Sequence, residues 1–192
     1  MSTISVVLVG VGGQGILLAS EIVAQAAVVA GFDVKTNEVH GMAQRGGSVI
    51  AQIRYGQEVH SPVIAKGAAS VLGSLERMET LRYTDYLTED GLAVVSSQKI
   101  VPVTASSGSV AYPEIDEELL RRYFPRLVYL DAVGEAAKLG NPKAANAILL
   151  GAMSLQLELP LDAWETAIRK SVKEKFVDVN LQAFHCGRGY SS

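Results

Sequence analysis

The sequence predicts an α/β fold: an open, mainly parallel, layered sheet with helices on both faces and a helical C-terminal segment. A nearly continuous apolar run, Ile4 to Val9, leads through the small residues Gly10-Val11-Gly12-Gly13-Gln14-Gly15 into a helix-forming stretch. Strand-like and helix-like segments then alternate, the order that gives parallel strands joined by crossovers. From Asn141 onward the chain reads as helical.

Ile4 to Val9 has the unbroken apolar character of a strand covered on both faces. From Gly15 to Ala30 helix formers dominate, with Leu17, Ser20, Ala24 and Ala27 at helical spacing. Gly31 stands where a left-handed residue ends a helix. Phe32 to Val39 reads as the second strand. In the third, Ser48 to Tyr55, Val49, Ala51, Ile53 and Tyr55 share one side, and Gly56-Gln57 suggests a short hairpin with Glu58 to His60. Ala68 to Gly73 is expected to be a strand, followed by a charged amphipathic helix from Ser74 or Leu75 to about Leu87. Gly91 to Ser96 and Ile100 to Thr104 read as two more strands. Pro113 is expected to open a helix whose acids Glu114, Asp116, Glu117 and Glu118 precede Arg121 and Arg122, the order that suits the helix dipole. Leu127 to Leu130 is the last strand. Asn141-Pro142 offers a cap and first position for a helix running to about Leu157. Asp162 and Glu165 have capping-box spacing for the next, whose stripe is Trp164, Ile168, Val172 and Phe176. No repeat, low-complexity tract or linker interrupts this order, so residues 1–192 read as a single domain.

At 192 residues the chain is long enough to bury a core without staples. Its net charge is -3 with scattered Lys and Arg, which gives no electrostatic footprint for nucleic acid. The first twenty residues carry no charge, yet four glycines and Gln14 lie among them and no basic start precedes them. A membrane span and a signal peptide are both rejected on that ground, and a cytoplasmic location is the expectation. A single cysteine, Cys186, cannot form an internal disulfide or by itself hold zinc or an iron–sulfur cluster.

A strand-to-helix glycine turn directs backbone amides outward, and the helix dipole adds partial positive charge. Gly10, Gly12 and Gly15 fit the G-x-G-x-x-G spacing of a Rossmann-like dinucleotide site, and Glu38 stands about where a ribose-binding acid belongs. Taken alone this suggests NAD(P). Close packing of a first strand against its helix asks for the same glycines, with no ligand at all. A second polar stretch runs from Glu38 to Gly47, with His40, Gln44 and Arg45 among Gly41, Gly46 and Gly47. Loops at the carboxyl ends of strands line the ligand crevice of open α/β sheets, so His40 and Arg45 are expected near the glycine turn. Arg45 suits a carboxylate or phosphate and His40 can donate or accept near neutral pH. Contact with another subunit is the competing reading. Elsewhere Trp164 reads as core, Met42 as gap filler, Cys186 as incidental, His60 as solvated, and Glu114 to Glu118 as a helix start rather than a metal site.

The strings VGVGGQGILLASEIVAQAA (Val9 to Ala27) and NEVHGMAQRGGSV (Asn37 to Val49) together resemble the gamma-type domain of the 2-oxoacid (pyruvate or ketoisovalerate):ferredoxin oxidoreductase family, and within it the branch acting on indolepyruvate. Weaker agreement continues through Leu75-Glu76 to Arg82, Asn146 to Gly151, Asn180 and Ala183-Phe184. The resemblance implies conversion of a 2-oxoacid, indolepyruvate or another aryl pyruvate, with CoA to acyl-CoA and carbon dioxide, electrons passing to ferredoxin. It also implies thiamine diphosphate with Mg and 4Fe–4S clusters, cofactors that carry the hard chemistry. One cysteine cannot ligate a cluster, and no GDG…N stretch for thiamine diphosphate is present. Both groups are therefore expected on a large cofactor-bearing partner subunit, with this chain inert alone. Gly12, Gly13, Gln14, Gly15, His40, Gln44, Arg45, Gly46 and Gly47 are expected to form one edge that docks on that partner and walls the substrate or CoA channel. A stand-alone NAD(P)-binding oxidoreductase and a nucleotide-binding protein without chemistry are the alternatives.

Overall fold

The computed structural model describes residues 3–41, 47–101 and 113–190. Met42, Gln44, Arg45 and Gly46, together with residues 102–104 of the expected strand, lie outside the described residues.

In chain order the elements begin β1 (Ile4–Val11), α1 (Ile16–Val29), β2 (Asp33–His40), β3 (Ser48–Gly56), β4 (Ala69–Ser74), α2 (Arg77–Arg82) and β5 (Leu87–Ser96). They continue with α3 (Glu117–Tyr123), β6 (Leu127–Leu130), α4 (Ala132–Lys138), α5 (Ala145–Ser154), α6 (Leu161–Ser171) and α7 (Val177–Arg188). The six-stranded sheet has the order β2-β3-β1-β4-β5-β6. β1–β4, β4–β5 and β5–β6 are parallel pairs, while β3 is antiparallel to both β1 and β2. β3 is thus the one reversed strand, and the expected mainly parallel sheet is mixed at that point only.

β1 lies in the middle of the sheet and is buried from Ser5 to Val11, as its unbroken apolar run requires. Val6 and Leu8 face a larger core built with α1, α5, α6 and α7, and Val7 and Val9 face a smaller one completed by Leu120 of α3 and by Phe124 just after it. Trp164 is fully buried against Phe184, as read from the sequence. All ten residues of α5 are buried. Its crossing with α7 is glycine to glycine: a methyl on Gly151 would run into the Phe184 carbonyl, and one on Gly187 into that of Ile148.

Several boundaries differ from the sequence reading, each for a local reason. The helix expected from Leu75 to Leu87 starts at Arg77, because the Glu76 carboxylate caps it by accepting from Met78 N and Glu79 N. It ends at Arg82, and Leu87 already belongs to β5. α3 begins at Glu117 rather than at Pro113, because Asp116 caps it through Leu119 N. Asp162 is no cap: α6 starts at Leu161 after Pro160, and the Asp162 carboxylate accepts from its neighbour's amide, Ala163 N. Val172 is extended, so α6 stops before it, and Phe176 falls on a separate turn, 40% exposed. Asn141 caps a single 3-10 turn, Pro142–Ala144, and α5 follows at Ala145 and ends at Ser154. Glu58 to His60, Ile100 and Val101 form no strand. α4, capped by Asp131, was hidden by its short and weakly periodic sequence.

The α5–α7 crossing yields a stability prediction. Gly187→Ala should lower the unfolding free energy by an amount at the upper end of the about 1–3 kcal/mol typical of overpacked cores. Denaturant titration of the two chains checks it; equal midpoints would show that the helices part freely.

Candidate functional site

The C-terminal ends of β1, β4 and β5 meet at the glycine turn. Gly13 and Gly15 take positive φ, +104° and +82°, which side chains rarely adopt. Gln14 between them folds its carboxamide back into the turn. Its Oε1 accepts from Val11 N at 2.7 Å, and its Nε2 donates to Leu75 O at 2.7 Å and to Gln98 Oε1 at 2.8 Å. One side chain therefore ties the turn to the residue after β4 and to the segment after β5. Asn146, buried on α5, reaches the same turn and donates to Gly15 O at 3.3 Å.

Beside the turn lies a cleft of about 590 Å³, walled by Gly12 to Gly15, Gln98, Ile100, Lys143 and Asn146 among others. Among the described residues no carboxylate lines it, and the first turn of α1 holds no acid and has no side-chain cap. The open amides of α1 and the single lysine give this cleft a positive bias.

On its other side the turn meets the root of the β2–β3 hairpin. Gly12 N donates to Gly47 O at 2.9 Å, and Gly41 N donates to Ser48 O at 2.8 Å. His40, exposed at the end of β2, shares a second depression of about 380 Å³ with Gly12, Gly13, Gly15 and Leu17. Of the edge expected from the sequence, Gly12, Gly13, Gln14, Gly15, His40 and Gly47 thus come together. Gln44, Arg45 and Gly46 lie outside the described residues.

Two buried carboxylates, Glu76 at the start of α2 and Glu79 on it, which carried no expected role at the site, stand beneath it. Glu76 caps α2 and also accepts from Ile100 N at 3.2 Å. Glu79 Oε2 accepts from the Ser48 hydroxyl, which also lies 3.1 Å from Tyr83 Oη, and its Oε1 pairs with Arg82 Nε at 3.2 Å. Burial pushes the Glu79 carboxyl above its ordinary range. The Ser48 hydrogen bond and the Arg82 charge draw it back, and neighbouring Glu76 adds to the rise. Beyond the weak family agreement through Leu75-Glu76 to Arg82, neither acid had a signal in the sequence, since glutamate is a rare cap and charged helices normally face water. Gln98 and Lys143 stood in segments with no motif.

Glu38 does not take the place a ribose-binding acid needs. It pairs with Ala51 of β3, whose other partner is Leu8 of β1, so two strand spacings, about 10 Å, separate it from β1. Among the described residues no group of three or more His, Cys, Asp or Glu is placed to hold a metal ion. No described helix is long and apolar enough to cross a membrane.

The sequence profile of the family described as pyruvate ferredoxin/flavodoxin oxidoreductase matches residues 5–190. The indolepyruvate oxidoreductase subunit IorB of Archaeoglobus fulgidus is 42% identical over 188 residues, 96% of this chain and 93% of that one. The protein of the same description from Thermococcus kodakarensis is 40% identical over 192 residues, covering 97% and 95%. In architecture the chain is similar to the pyruvate oxidoreductase subunit PORC of Thermotoga maritima, with a TM-score of 0.75 at 23% identity over 99% of this chain and 97% of that one.

Two predictions follow from the geometry of the turn and its support. Gln14→Ala leaves Val11 N and Leu75 O without their side-chain partner and should cost about 2–3 kcal/mol, read by denaturant titration. For Glu79, the unfolded carboxyl titrates near 4.5 and the folded one higher, so the folded chain binds the extra proton between them. Stability from this group falls as pH rises through that window. Glu79→Gln cannot ionise, so its melting temperature relative to the parent should climb from pH 4.5 upward and then level off. A difference independent of pH would show that Glu79 titrates normally.

Proposed function

The chain belongs to the pyruvate ferredoxin/flavodoxin oxidoreductase family, and from that premise we propose that it is the small subunit of a 2-oxoacid:ferredoxin oxidoreductase. One observation carries the reading. Relatives named as indolepyruvate oxidoreductase subunits match almost from end to end, at 42% and 40% identity. Their names favour indolepyruvate or another aryl pyruvate as the 2-oxoacid, converted with CoA to acyl-CoA and carbon dioxide while ferredoxin is reduced. A cytoplasmic location fits that chemistry.

The residues of this chain do not fit the cofactors of such a reaction. A 4Fe–4S cluster takes four thiolates, and the sequence holds one cysteine. Thiamine diphosphate with Mg, and the clusters, are assigned to a large partner subunit, where they supply the carbanion and single-electron chemistry. This chain's own part is to bind and to shape. The edge formed by Gly12, Gly13, Gln14, Gly15, His40 and Gly47, with Gln44, Arg45 and Gly46 between the last two in sequence, docks on the partner and walls the channel for substrate or CoA. The cleft with Lys143, lined by no carboxylate among the described residues, suits the anionic groups that both molecules carry.

The stand-alone NAD(P) reading loses one of its two supports, since Glu38 is displaced from β1 by a whole strand, and keeps only the glycine spacing. Co-expression with the large subunit tests the proposal: the pair should turn over indolepyruvate with CoA, and the isolated chain should not. Within the active pair, Arg45→Ala should raise the KM for CoA or the 2-oxoacid about tenfold or more, the loss of one charge-assisted hydrogen bond, or weaken assembly. Unchanged assembly and both KM values unchanged would remove Arg45 from the channel.

A further inference from the structure

A carboxylate buried in the sheet's flank is costly unless it holds something in place. Glu79 is 6% exposed among the apolar neighbours of α2, where Met78 and Leu81 pack into the smaller core. Its grip falls on Ser48, the first residue of β3. That residue has an unusual position. Its carbonyl accepts from Gly41 N, closing the root of the hairpin, and it pairs with Val11, the last residue of β1. The residue before it, Gly47, accepts from Gly12 N of the glycine turn. Tyr83 Oη supports the same hydroxyl at 3.1 Å, and Arg82 holds the second carboxylate oxygen at 3.2 Å.

β2 is an edge strand and pairs in the sheet with β3 alone, so its end at His40 is held to β1 through the first residues of β3, where Ser48 pairs with Val11. Edge elements with a single neighbour open more readily than central ones. A charge-assisted hydrogen bond from α2 is a stronger restraint than a neutral one at the same place.

We infer that Glu79 is a positioning residue: by holding Ser48 it fixes the root of the β2–β3 hairpin against the glycine turn, and so sets the contour of the edge offered to the partner subunit and its substrates. This rests on the proposed docking role of that edge, and the test separates the two.

Three full-length variants are compared, Glu79→Leu, Glu79→Gln and Ser48→Ala. Native-state hydrogen exchange reads the amides of Gly12 and Gly41, with Leu72 and Val94 in the central strands as controls. Steady-state kinetics of the two-subunit enzyme reads KM for CoA and indolepyruvate separately from kcat. Glu79→Leu and Ser48→Ala should speed exchange at Gly12 and Gly41 about tenfold or more and leave the controls within about twofold. The same variants should raise a KM about tenfold with kcat within about twofold, as a misplaced wall would. Glu79→Gln keeps an acceptor for Ser48 and should recover most of both effects. If Glu79→Leu unfolds throughout, Ser48→Ala, which removes one hydroxyl, carries the test. Unchanged exchange at Gly12 and Gly41 in Ser48→Ala overturns the inference. Faster exchange with unchanged KM also overturns it where Arg45→Ala does raise KM. Where Arg45→Ala leaves both KM values and assembly unchanged as well, the docking reading has failed and the inference falls with it.

Discussion

The carboxamide of Gln14 closes the sheet where three strands end. Parallel strands leave their carboxyl ends open, and each needs partners for the backbone groups that run past the ladder. Here a single side chain accepts from Val11 N and donates to both Leu75 O and Gln98 Oε1. The glycine turn can take its tight path because Gly13 and Gly15 adopt positive φ, and that path is what brings Gln14 back over β1. The cleft, the start of α1 and the contact with Asn146 on α5 are all referred to this turn. In a dinucleotide-binding turn the amides face a pyrophosphate. In this one the carboxamide already satisfies the amide of Val11, so the glycines serve closure of the turn first.

The reversed strand β3 has a second, equally concrete effect. By entering between β1 and β2 it carries Glu38 away from the turn, yet its own first residue returns to the end of β1. Gly47 and Ser48 thereby bond or pair with Gly12 and Val11. A purely parallel arrangement would have set β2 beside β1 and sent its loop directly over the turn. The insertion instead makes the site from two independent roots, one on each side of β3.

The parts legible in the sequence were those governed by local chemistry. The apolar run of β1, the alternation Val49, Ala51, Ile53, Tyr55, and Gly31 after α1 each specify their element without help. The proximity of His40 to the glycine turn was legible too, because shared strand direction puts both at one edge. What could not be read depends on partners distant along the chain. Glu76 caps α2 and also binds Ile100 N, and Gln98 finds Gln14 across 84 residues. No window of neighbouring residues encodes such pairs. Asp162 failed as a cap for the converse reason: its spacing to Glu165 was right, but Pro160 had already started the helix.

Fixed dipoles give a polypeptide a physical means of influencing a reaction, since they act on charge without reorganising when it arrives. The edge described here has that character on one side and a restrained hairpin on the other. α1 begins with no acid in its first turn, Lys143 stands at the cleft, and among the described residues no carboxylate lines it. The acids that do occur nearby, Glu76 and Glu79, are turned inward and spent on backbone amides, Ser48 and Arg82. Their burial keeps negative charge out of the cleft while supplying the grip that its walls require. Placing the acids beneath the site rather than in it reconciles a firmly held edge with one that can receive an anion.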